Sequence, residues 1–385
     1  MQYQLTEEQD MLRDTVRRLA KEKVEPGASE RDEKGEFDWE TAKLLAENGL
    51  FGIDIPRTFG GSGFGFLALC IAIEELSRSC GSTGTLLLAH DLGLTPILLA
   101  GNNAQKEKYL PKLASGESIA AFGLTEPAAG SDVASLKLRA VKKGTEYVLN
   151  GTKTFITNGG IADVITVYAV TDPQVKTTKS ASVFIVEKDM PGFFVGKHES
   201  KMGIRASDTS ELIFEDCRVP QENLLGEEGI GFSLVMKTLD FTRTTVGAQG
   251  LGIAQGALDY ATSYAKERMA FGESIMSFQG VSFKLADMVI KIVAARQLVY
   301  KSAAMLQDLP KDLSRLAKEV ITYSSAAKAF ASDVAMEVTT EAVQILGGYG
   351  YIKEYPVERM MRDAKITQIY EGTNEIQRMI IANNL

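Results

Sequence analysis

The most informative segment of the chain, close to its C-terminus, reads Gln368-Ile369-Tyr370-Glu371-Gly372-Thr373-Asn374-Glu375-Ile376-Gln377. Glu371 follows two apolar residues and precedes a glycine, which lets the backbone turn and approach a ligand. A carboxylate in apolar surroundings has a raised pKa and can act as a base near neutral pH. Because the sequence contains only 2 histidines, a carboxylate is the expected base if the chain carries out proton chemistry.

The same segment predicts the start of a last helix. Either Thr373 or Asn374 has the side chain of an N-cap residue, and Gln377 has the spacing to close a capping box on Asn374. The predicted turn and helix start therefore surround Glu371.

The composition describes an ordinary globular protein without a nucleic-acid partner. The chain has 385 residues, 45% hydrophobic and 24% charged, with a net charge of -8. That charge argues against non-specific binding to nucleic acid or to an anionic membrane. The 3 cysteines lack the spacing of metal ligands, so we expect no metal site and a reducing, cytoplasmic location. With neither a signal peptide nor an apolar run of about 20 residues in the sequence, we expect no membrane insertion.

Three regions differ in pattern. Residues 1–120 read as a helical domain: Thr6 caps a first helix, a second covers residues 64–79, and Ser82 caps a third that Pro96 bends or ends. Residues 121–228 read as a compact β-barrel or sandwich, with strands at 164–171, 182–187, 193–197 and 211–214. Asn150-Gly151 predicts the turn of a hairpin within this domain.

Residues 229–385 return to a helical pattern, with long helices predicted at 230–268, 278–307, 312–346 and 374–383. Their lengths suit an antiparallel bundle. Glycines at 247, 250, 252 and 256 interrupt the first of them, and we interpret these as sites where another helix packs closely. The overall prediction is an α+β protein with a helical region at each end.

Four further segments are ambiguous when each is read alone. The first, residues 124–132, is either a linker or a loop whose N–H groups and hydroxyls bind a polar ring or phosphates. Phe155 either belongs to the core or covers a flat ring. Arg268, at a helix end, suits a phosphate or the helix dipole equally well. The glycines after Leu346 either cap a helix or admit a pyrophosphate.

Taken together and in order, the segments resemble those of the acyl-CoA dehydrogenases over essentially the full chain. The resemblance is carried by five segments: Leu124-Thr125-Glu126-Pro127 with Gly130-Ser131-Asp132, Phe155-Ile156-Thr157-Asn158-Gly159, Glu267-Arg268-Met269-Ala270-Phe271-Gly272, Gln344-Ile345-Leu346-Gly347-Gly348, and Ile369-Tyr370-Glu371-Gly372-Thr373.

The resemblance implies an N-terminal helical domain, a middle β-domain and a C-terminal four-helix bundle, usually in a homotetramer. It implies FAD between the β-domain and the bundle, with a neighbouring subunit completing the site, and electrons passed to an electron-transferring flavoprotein. The residues that match cofactor positions are Phe122, Gly123, Leu124, Thr125, Ser131, Phe155, Ile156, Thr157, Arg268, Phe278, Gln279, Gln344, Ile345, Leu346, Gly347, Gly348, Thr373, Asn374 and Glu375.

The resemblance also implies which residues meet the acyl-CoA. Glu371 matches the base that removes the proton on the α-carbon, while hydride leaves the β-carbon for the flavin. Some family members carry the base instead at the position that is Thr242 here, so Glu371 has no competitor at that position. The residues that match contacts to the thioester are Ser131, Asp240, Arg243 and Gly372.

One residue departs from the family pattern. Asp91 lies on the helix that lines the acyl pocket in the family, where the matching residue is usually small and uncharged. A carboxylate among leucines is costly unless it is paired or used. Asp91 is therefore either a structural acid with a partner, or a second base that removes a proton beyond the α-carbon of a cyclic, unsaturated acyl group in a 1,4-elimination. The second interpretation predicts a cyclohexane- or cyclohexene-carboxyl-CoA as substrate, and the first an ordinary short straight or branched acyl-CoA.

Two other functions remain open at this point. An acyl-CoA oxidase would use oxygen as its acceptor, but such chains are usually much longer. A non-catalytic, DNA-associated relative of the same fold would need a basic stripe, which the net charge of -8 does not favour.

Overall fold

The computed structural model describes residues 5–310, 312 and 316–385, and it has the predicted order of helices, strands and helices. The helices are α1 (Glu7–Leu19), α2 (Ala28–Lys34), α3 (Trp39–Glu47), α4 (Phe66–Ser79), α5 (Gly81–Ala100), α6 (Asn103–Ser115), α7 (Thr177–Ser180), α8 (Gly231–Glu267), α9 (Gln279–Gln307), α10 (Lys318–Leu346), α11 (Pro356–Thr367) and α12 (Asn374–Asn384). The strands are β1 (Ala120–Gly123), β2 (Arg139–Lys143), β3 (Glu146–Thr157), β4 (Val164–Val170), β5 (Ala181–Glu187), β6 (Phe193–His198), β7 (Thr209–Pro220), β8 (Leu224–Leu225), β9 (Met269–Ala270) and β10 (Glu273–Ser274).

The first helix begins as its sequence predicts. The Thr6 side chain accepts a hydrogen bond from the backbone N–H of Gln9, and the Gln9 side chain accepts one from the N–H of Thr6. This reciprocal pair satisfies two N–H groups that would otherwise lack partners at the helix start. Residues 1–4, which belong to the predicted N-terminal domain, lie outside the described residues.

Helix α5 runs through the core, and its start differs from the predicted one. Cys80 has the extended backbone of the N-cap, so Ser82 already lies within the first turn. Pro96 does not end the helix, which continues to Ala100, because packing on all sides outweighs one missing N–H. By length and composition α5 is the one described helix that could cross a membrane, but 89% of its apolar window is buried inside the fold.

The middle region is one mixed sheet of eight strands. The strand order is β6-β7-β3-β2-β4-β5-β8, and β1 pairs in parallel with β4. Every residue of β4 is buried, as expected for a strand covered on both faces. Because β1 ends at Gly123, the sheet fixes the position of the loop that follows.

The predicted hairpin turn at Asn150-Gly151 is wrong. Strand β3 continues through both residues, and its pairing with β7 shifts register between Leu149 and Gly151. Asn150 forms two hydrogen bonds with Asp216 of β7 across this irregularity. The chain reverses instead at Gly144, which has a φ of 66°, so the Asn-Gly pair marks a β-bulge rather than a turn.

The C-terminal region is a helical bundle in which α8 is central. A Cβ atom at Gly252 would lie 2.1 Å from the carbonyl oxygen of Glu74, and one at Gly256 would lie 2.2 Å from that of Arg78. These glycines therefore let α4 pack closely on α8, as the sequence indicated. Helix α11 was not predicted, and residues 313–315 of the predicted helix 312–346 lie outside the described residues.

Candidate active site

The turn between α11 and α12 places Glu371 in an unusual backbone conformation. Glu371 has a φ of 53° and Gly372 a φ of 89°, so two successive residues are left-handed. This conformation suits glycine, but it is strained for glutamate. Such strain persists only where the surrounding structure maintains it, and it concentrates at functional sites.

The helix start after the turn confirms one capping prediction and corrects another. Thr373 is the N-cap of α12, and its hydroxyl accepts a hydrogen bond of 3.3 Å from the N–H of Ile376. The capping box on Asn374 is wrong. Gln377 instead donates its amide hydrogens back to the carbonyl oxygens of Gly372, at 2.9 Å, and Glu371, at 3.3 Å.

One oxygen of the Glu371 carboxylate is shielded from water, although the residue as a whole is partly exposed. Its Oε2 atom is buried and has no hydrogen-bond partner among the described residues. Burial raises the pKa of Glu371 to about 7, and the Thr242 hydroxyl, Lys328 and Arg243 limit that rise. A carboxylate with this pKa is ionised in a useful fraction at neutral pH and remains basic enough to accept a proton from carbon.

Two of the predicted thioester contacts, Asp240 and Arg243, lie on α8. The charge of Arg243 also lowers the pKa of Glu371. Asp240 and Arg243 form a buried ion pair one helical turn apart. Burial raises the pKa of Asp240, and the positive charge of Arg243 opposes that rise. The Nε atom of Arg243 is buried without a partner among the described residues, so this guanidinium keeps a donor for a ligand.

A buried chain of polar groups joins the turn to the N-terminal helices, and the sequence did not predict it. Tyr370 donates its hydroxyl hydrogen to Oε1 of Gln249 on α8. The Gln249 amide in turn donates to the hydroxyl of Thr85 on α5, at 2.6 Å. Since such groups are costly to bury unpaired, this chain fixes the residue directly before Glu371. The only sequence signal was a glutamine within an apolar, glycine-rich helix.

The predicted cofactor residues of the β-domain come together at the end of the sheet. The N–H of Thr154, next to Phe155, donates to the carbonyl oxygen of Thr125 at 2.9 Å. Phe155 has a φ of 57° and is 63% exposed, so its ring is held outward at the edge of this group. The predicted residues in this group are Phe122, Gly123, Leu124, Thr125, Phe155, Ile156 and Thr157.

Lys153 supports this group from inside the fold, and the sequence did not reveal its role. The side chain is fully buried and donates to the carbonyl oxygen of Leu124 at 2.9 Å and to Glu126 at 2.8 Å. Burial lowers the pKa of Lys153 to about 8, against the attraction of the Glu126 carboxylate. The pair therefore fixes the loop from beneath.

A second group of predicted residues lines an open groove at the end of the bundle. The groove has a volume of about 520 Å³, and the Arg268 guanidinium lies 5.4 Å from the ring centre of Tyr349. A Cβ at Gly347 or Gly348 would meet nothing within 4 Å, so the backbone is open to a ligand. Predicted residues that line the groove are Arg268, Ile345, Leu346, Gly347 and Gly348. Phe278, Gln279 and Gln344 lie on the adjoining helix ends.

The chemistry of these two groups fits the halves of FAD. An exposed aromatic ring beside backbone polar groups suits a flat heterocycle, and an arginine beside bare glycine backbone suits a pyrophosphate. Among the described residues, no hydrogen bond or ion pair joins the two groups within this chain. Ser131 is exposed on the loop after β1, while Thr373, Asn374 and Glu375 lie at the start of α12.

Asp91 occupies a different setting from Glu371. It lies in the middle of α5 and is 4% exposed, and its negative charge contributes to the raised pKa of Cys70 on α4. From Thr85, which contacts the Tyr370 chain, Asp91 is roughly 9 Å along the helix axis and about 120° around it. Asp91 is therefore on a different face of α5 from Thr85.

Comparison with known proteins gives matches along the whole chain. Family models described as the N-terminal, middle and C-terminal domains of acyl-CoA dehydrogenase match residues 6–117, 121–217 and 229–385. The chain is 49% identical to the short-chain specific acyl-CoA dehydrogenase of Clostridium acetobutylicum, with 100% of both chains covered. It is also 49% identical to the cyclohex-1-ene-1-carbonyl-CoA dehydrogenase of Geobacter metallireducens, over 99% of this chain and 98% of that protein.

A solved structure extends this similarity to three dimensions. One chain in the structure reported for the electron transferring flavoprotein of Acidaminococcus fermentans matches with a TM-score of 0.95 and 48% identity. The match covers 100% of this chain and 99% of that chain.

Proposed function

The chain belongs to the acyl-CoA dehydrogenase family, and we propose that Glu371 is the base that removes the α-proton of its acyl-CoA substrate. The observation that carries this proposal is the left-handed turn with φ 53° at Glu371, whose buried carboxylate has a pKa raised to about 7. The strain and the raised pKa both suit a group that is held ready for proton transfer.

The other residues of the site position the substrate in this proposal. Arg243 and Asp240 contact the CoA thioester together with Gly372 and Ser131. Because the Arg243 guanidinium is buried, its charge acts with little screening on the electron density that develops as the α-proton leaves. The chain thereby keeps the thioester against Glu371 and away from water.

FAD is the cofactor of the family, and when bound it supplies the acceptor for the hydride that leaves the substrate. We propose that the group around Thr125 and Phe155 holds the isoalloxazine end, with Ser131 nearby. Arg268 and the backbone of Gly347 and Gly348 hold the pyrophosphate and adenine end. Lys153 contributes indirectly, since its hydrogen bond to Leu124 keeps the first group in place.

We propose that the enzyme is a homotetramer in which a neighbouring subunit completes the cofactor site. Helix α9 exposes a row of large apolar side chains, as a subunit interface would: Phe283, Val289, Ile290 and Val293. No hydrogen bond or ion pair joins the two cofactor groups among the residues that the structure describes, which also favours contributions from two subunits. Light scattering with and without FAD tests this directly, and a stable monomer with full FAD content would contradict it.

We propose an electron-transferring flavoprotein as the electron acceptor. The solved structure that matches with a TM-score of 0.95 is reported for such a flavoprotein. An oxidase is the alternative, and stopped-flow mixing of the reduced enzyme with air separates the two. Slow reoxidation in air and fast reoxidation by the flavoprotein are expected; fast reoxidation by oxygen would identify an oxidase.

Two substrate classes remain, and a named relative supports each. The relative from Geobacter metallireducens acts on a cyclic, unsaturated acyl-CoA, and the one from Clostridium acetobutylicum is short-chain specific. We propose the cyclic class, because the buried Asp91 offers a second carboxylate that can take a proton beyond the α-carbon. Both curated relatives are named as dehydrogenases, which leaves the DNA-associated alternative without support.

Anaerobic bleaching of the flavin absorbance tests the proposed activity. The purified holoenzyme is mixed with butyryl-CoA, isobutyryl-CoA, cyclohexane-carboxyl-CoA or cyclohexene-carboxyl-CoA. Fastest bleaching by cyclohexene-carboxyl-CoA supports the cyclic class, whereas fastest bleaching by butyryl-CoA supports the short-chain alternative. Bleaching by none of these thioesters would contradict the assignment of this substrate range.

A further inference from the structure

A buried lysine on α10 lies behind the Glu371 turn. Lys328 is 0% exposed, and a buried ammonium is costly unless strong acceptors surround it. It donates one hydrogen bond of 2.7 Å to the carbonyl oxygen of Gly372 and another of 2.9 Å to Oδ1 of Asn374. Its charge is thus directed at the backbone of the turn rather than at solvent.

The turn receives its support at the residue after Glu371. The Gly372 carbonyl accepts hydrogen bonds from both Lys328 and Gln377, at 2.7 and 2.9 Å. Since this carbonyl belongs to the left-handed pair, two donors hold it in an orientation that a free chain would seldom adopt. Without them the strained backbone of Glu371 could relax, and its carboxylate would change direction.

The ammonium is itself held in place from α10 and α12. Asn374 donates to Oγ of Ser332 at 2.9 Å and to Oδ1 of Asp333 at 2.7 Å. The Ser332 hydroxyl donates to the carbonyl oxygen of Lys328 at 2.7 Å. Because each polar group has a partner, the position of the Lys328 side chain is fixed.

We infer that Lys328 is a positioning residue for the base: its ammonium keeps Glu371 in the left-handed turn, and its charge favours the ionised carboxylate. This inference rests on the proposed role of Glu371. Lys328 does not touch the substrate in this account, and it acts through the Gly372 carbonyl and through its electric field.

The charges around Lys328 agree with this role. Burial lowers the pKa of Lys328 to about 7, and the Glu371 carboxylate opposes that fall more than any other group. Asp333 on α10 and Glu375 on α12 also oppose it, while Arg243 on α8 adds to it. In return, Lys328 lowers the pKa of Glu371, so loss of the ammonium raises the pKa of the base.

The test compares Lys328→Met and Lys328→Gln with the wild-type holoenzyme. Anaerobic flavin bleaching by butyryl-CoA is followed from pH 5.5 to 9 to find the pH at which the rate is half its maximum. Loss of the charge is expected to move this midpoint upward by about 1 pH unit, which lowers the rate at pH 7 about fivefold. Lys328→Gln keeps a hydrogen-bond donor for the Gly372 carbonyl but removes the positive charge. It therefore measures the effect of the charge on the midpoint even if Lys328→Met does not fold.

Ser324→Ala is the matched control, because it removes a buried hydrogen bond on the same helix, to the carbonyl oxygen of Ile321 at 3.1 Å, and leaves the partners of Lys328 intact. Its melting temperature falls, but its midpoint is expected to equal that of the wild type. A midpoint that both Lys328 variants leave unchanged would overturn the inference and reduce Lys328 to a structural residue. A wild-type rate that does not depend on pH near 7 would instead contradict the role of Glu371, so the two failures are distinguishable.

Discussion

Two carboxylates, the half-buried Glu371 and the buried Asp91, differ in the backbone that carries them. Glu371 lies in a turn with a φ of 53°. The residue before it, Tyr370, donates a hydrogen bond to Gln249, and the carbonyl of the residue after it, Gly372, accepts two hydrogen bonds. Asp91 lies in the regular helix α5, whose next turn is anchored by the Thr95 hydroxyl on the Asp91 carbonyl at 2.7 Å. One acid is held by a strained and specific arrangement, and the other by ordinary helix packing.

The difference shows which observation points to chemistry. Burial alone does not identify a base, since a structural acid is also buried when it has partners. Strain together with supporting hydrogen bonds is more informative, because folding alone gives no reason to keep a glutamate left-handed. On this criterion we propose Glu371 as the base for any acyl-CoA, and Asp91 as an acid that only extends the range of substrates.

The largest effect is expected from Glu371→Gln. The amide has nearly the same shape but cannot accept the α-proton, so substrate-induced bleaching should fall by roughly 10²–10⁴-fold. FAD content, measured by absorbance, should stay at the wild-type level because Glu371 does not hold the cofactor. Bleaching at the wild-type rate would show that Glu371 is not the base, and the strained turn would then not distinguish it from Asp91.

A smaller and selective effect is expected from Asp91→Asn. If Asp91 takes a proton from the ring, bleaching by cyclohexene-carboxyl-CoA should fall by roughly 10²-fold or more, while bleaching by butyryl-CoA is largely retained. Rates with both thioesters are measured on one preparation, with Glu371→Gln as the variant that loses both. Equal retention would take Asp91 out of the chemistry, and equal loss would make it a structural acid.

The smallest effect is expected from Gln249→Leu, which cuts the polar chain between the Glu371 turn and the helix of Asp91. The hydroxyls of Tyr370 and Thr85 lose their buried partner, so the free energy of unfolding should fall by about 1–3 kcal/mol. Urea unfolding measures this change. The matched control is Gln255→Leu on the same helix, where the partly exposed site should cost less. Equal stability of Gln249→Leu and the wild type would show that this chain does not hold the turn.

Much of the fold follows from local sequence. Thr6 and Gln9 form the predicted capping box, and the glycines of α8 mark the close approach of α4. The errors arise where distant contacts override local preference. Asn150-Gly151 has the composition of a hairpin turn, but pairing with β7 makes it a bulge, and Pro96 is tolerated because α5 is packed on every side.

The sequence indicated the residue types of the candidate site, but not the buried residues that hold those side chains in position. The segment around Glu371 indicated a base, and the order of the five segments indicated the family. Lys328 carries no local signal, and Gln249 shows only as a glutamine within an apolar helix, because each acts on a residue far away in the sequence. Lys153 is similar, since only the folded sheet brings its ammonium to the Leu124 carbonyl.

The most direct test of Glu371 as the base is the pH dependence of anaerobic flavin bleaching in the wild-type enzyme. Burial raises the pKa of Glu371 from the usual 4.5 to about 7, and only the ionised carboxylate accepts a proton. The rate should therefore level off above pH 7 and fall about tenfold for each pH unit below it. A rate that stays constant from pH 5 to pH 8 would contradict the account.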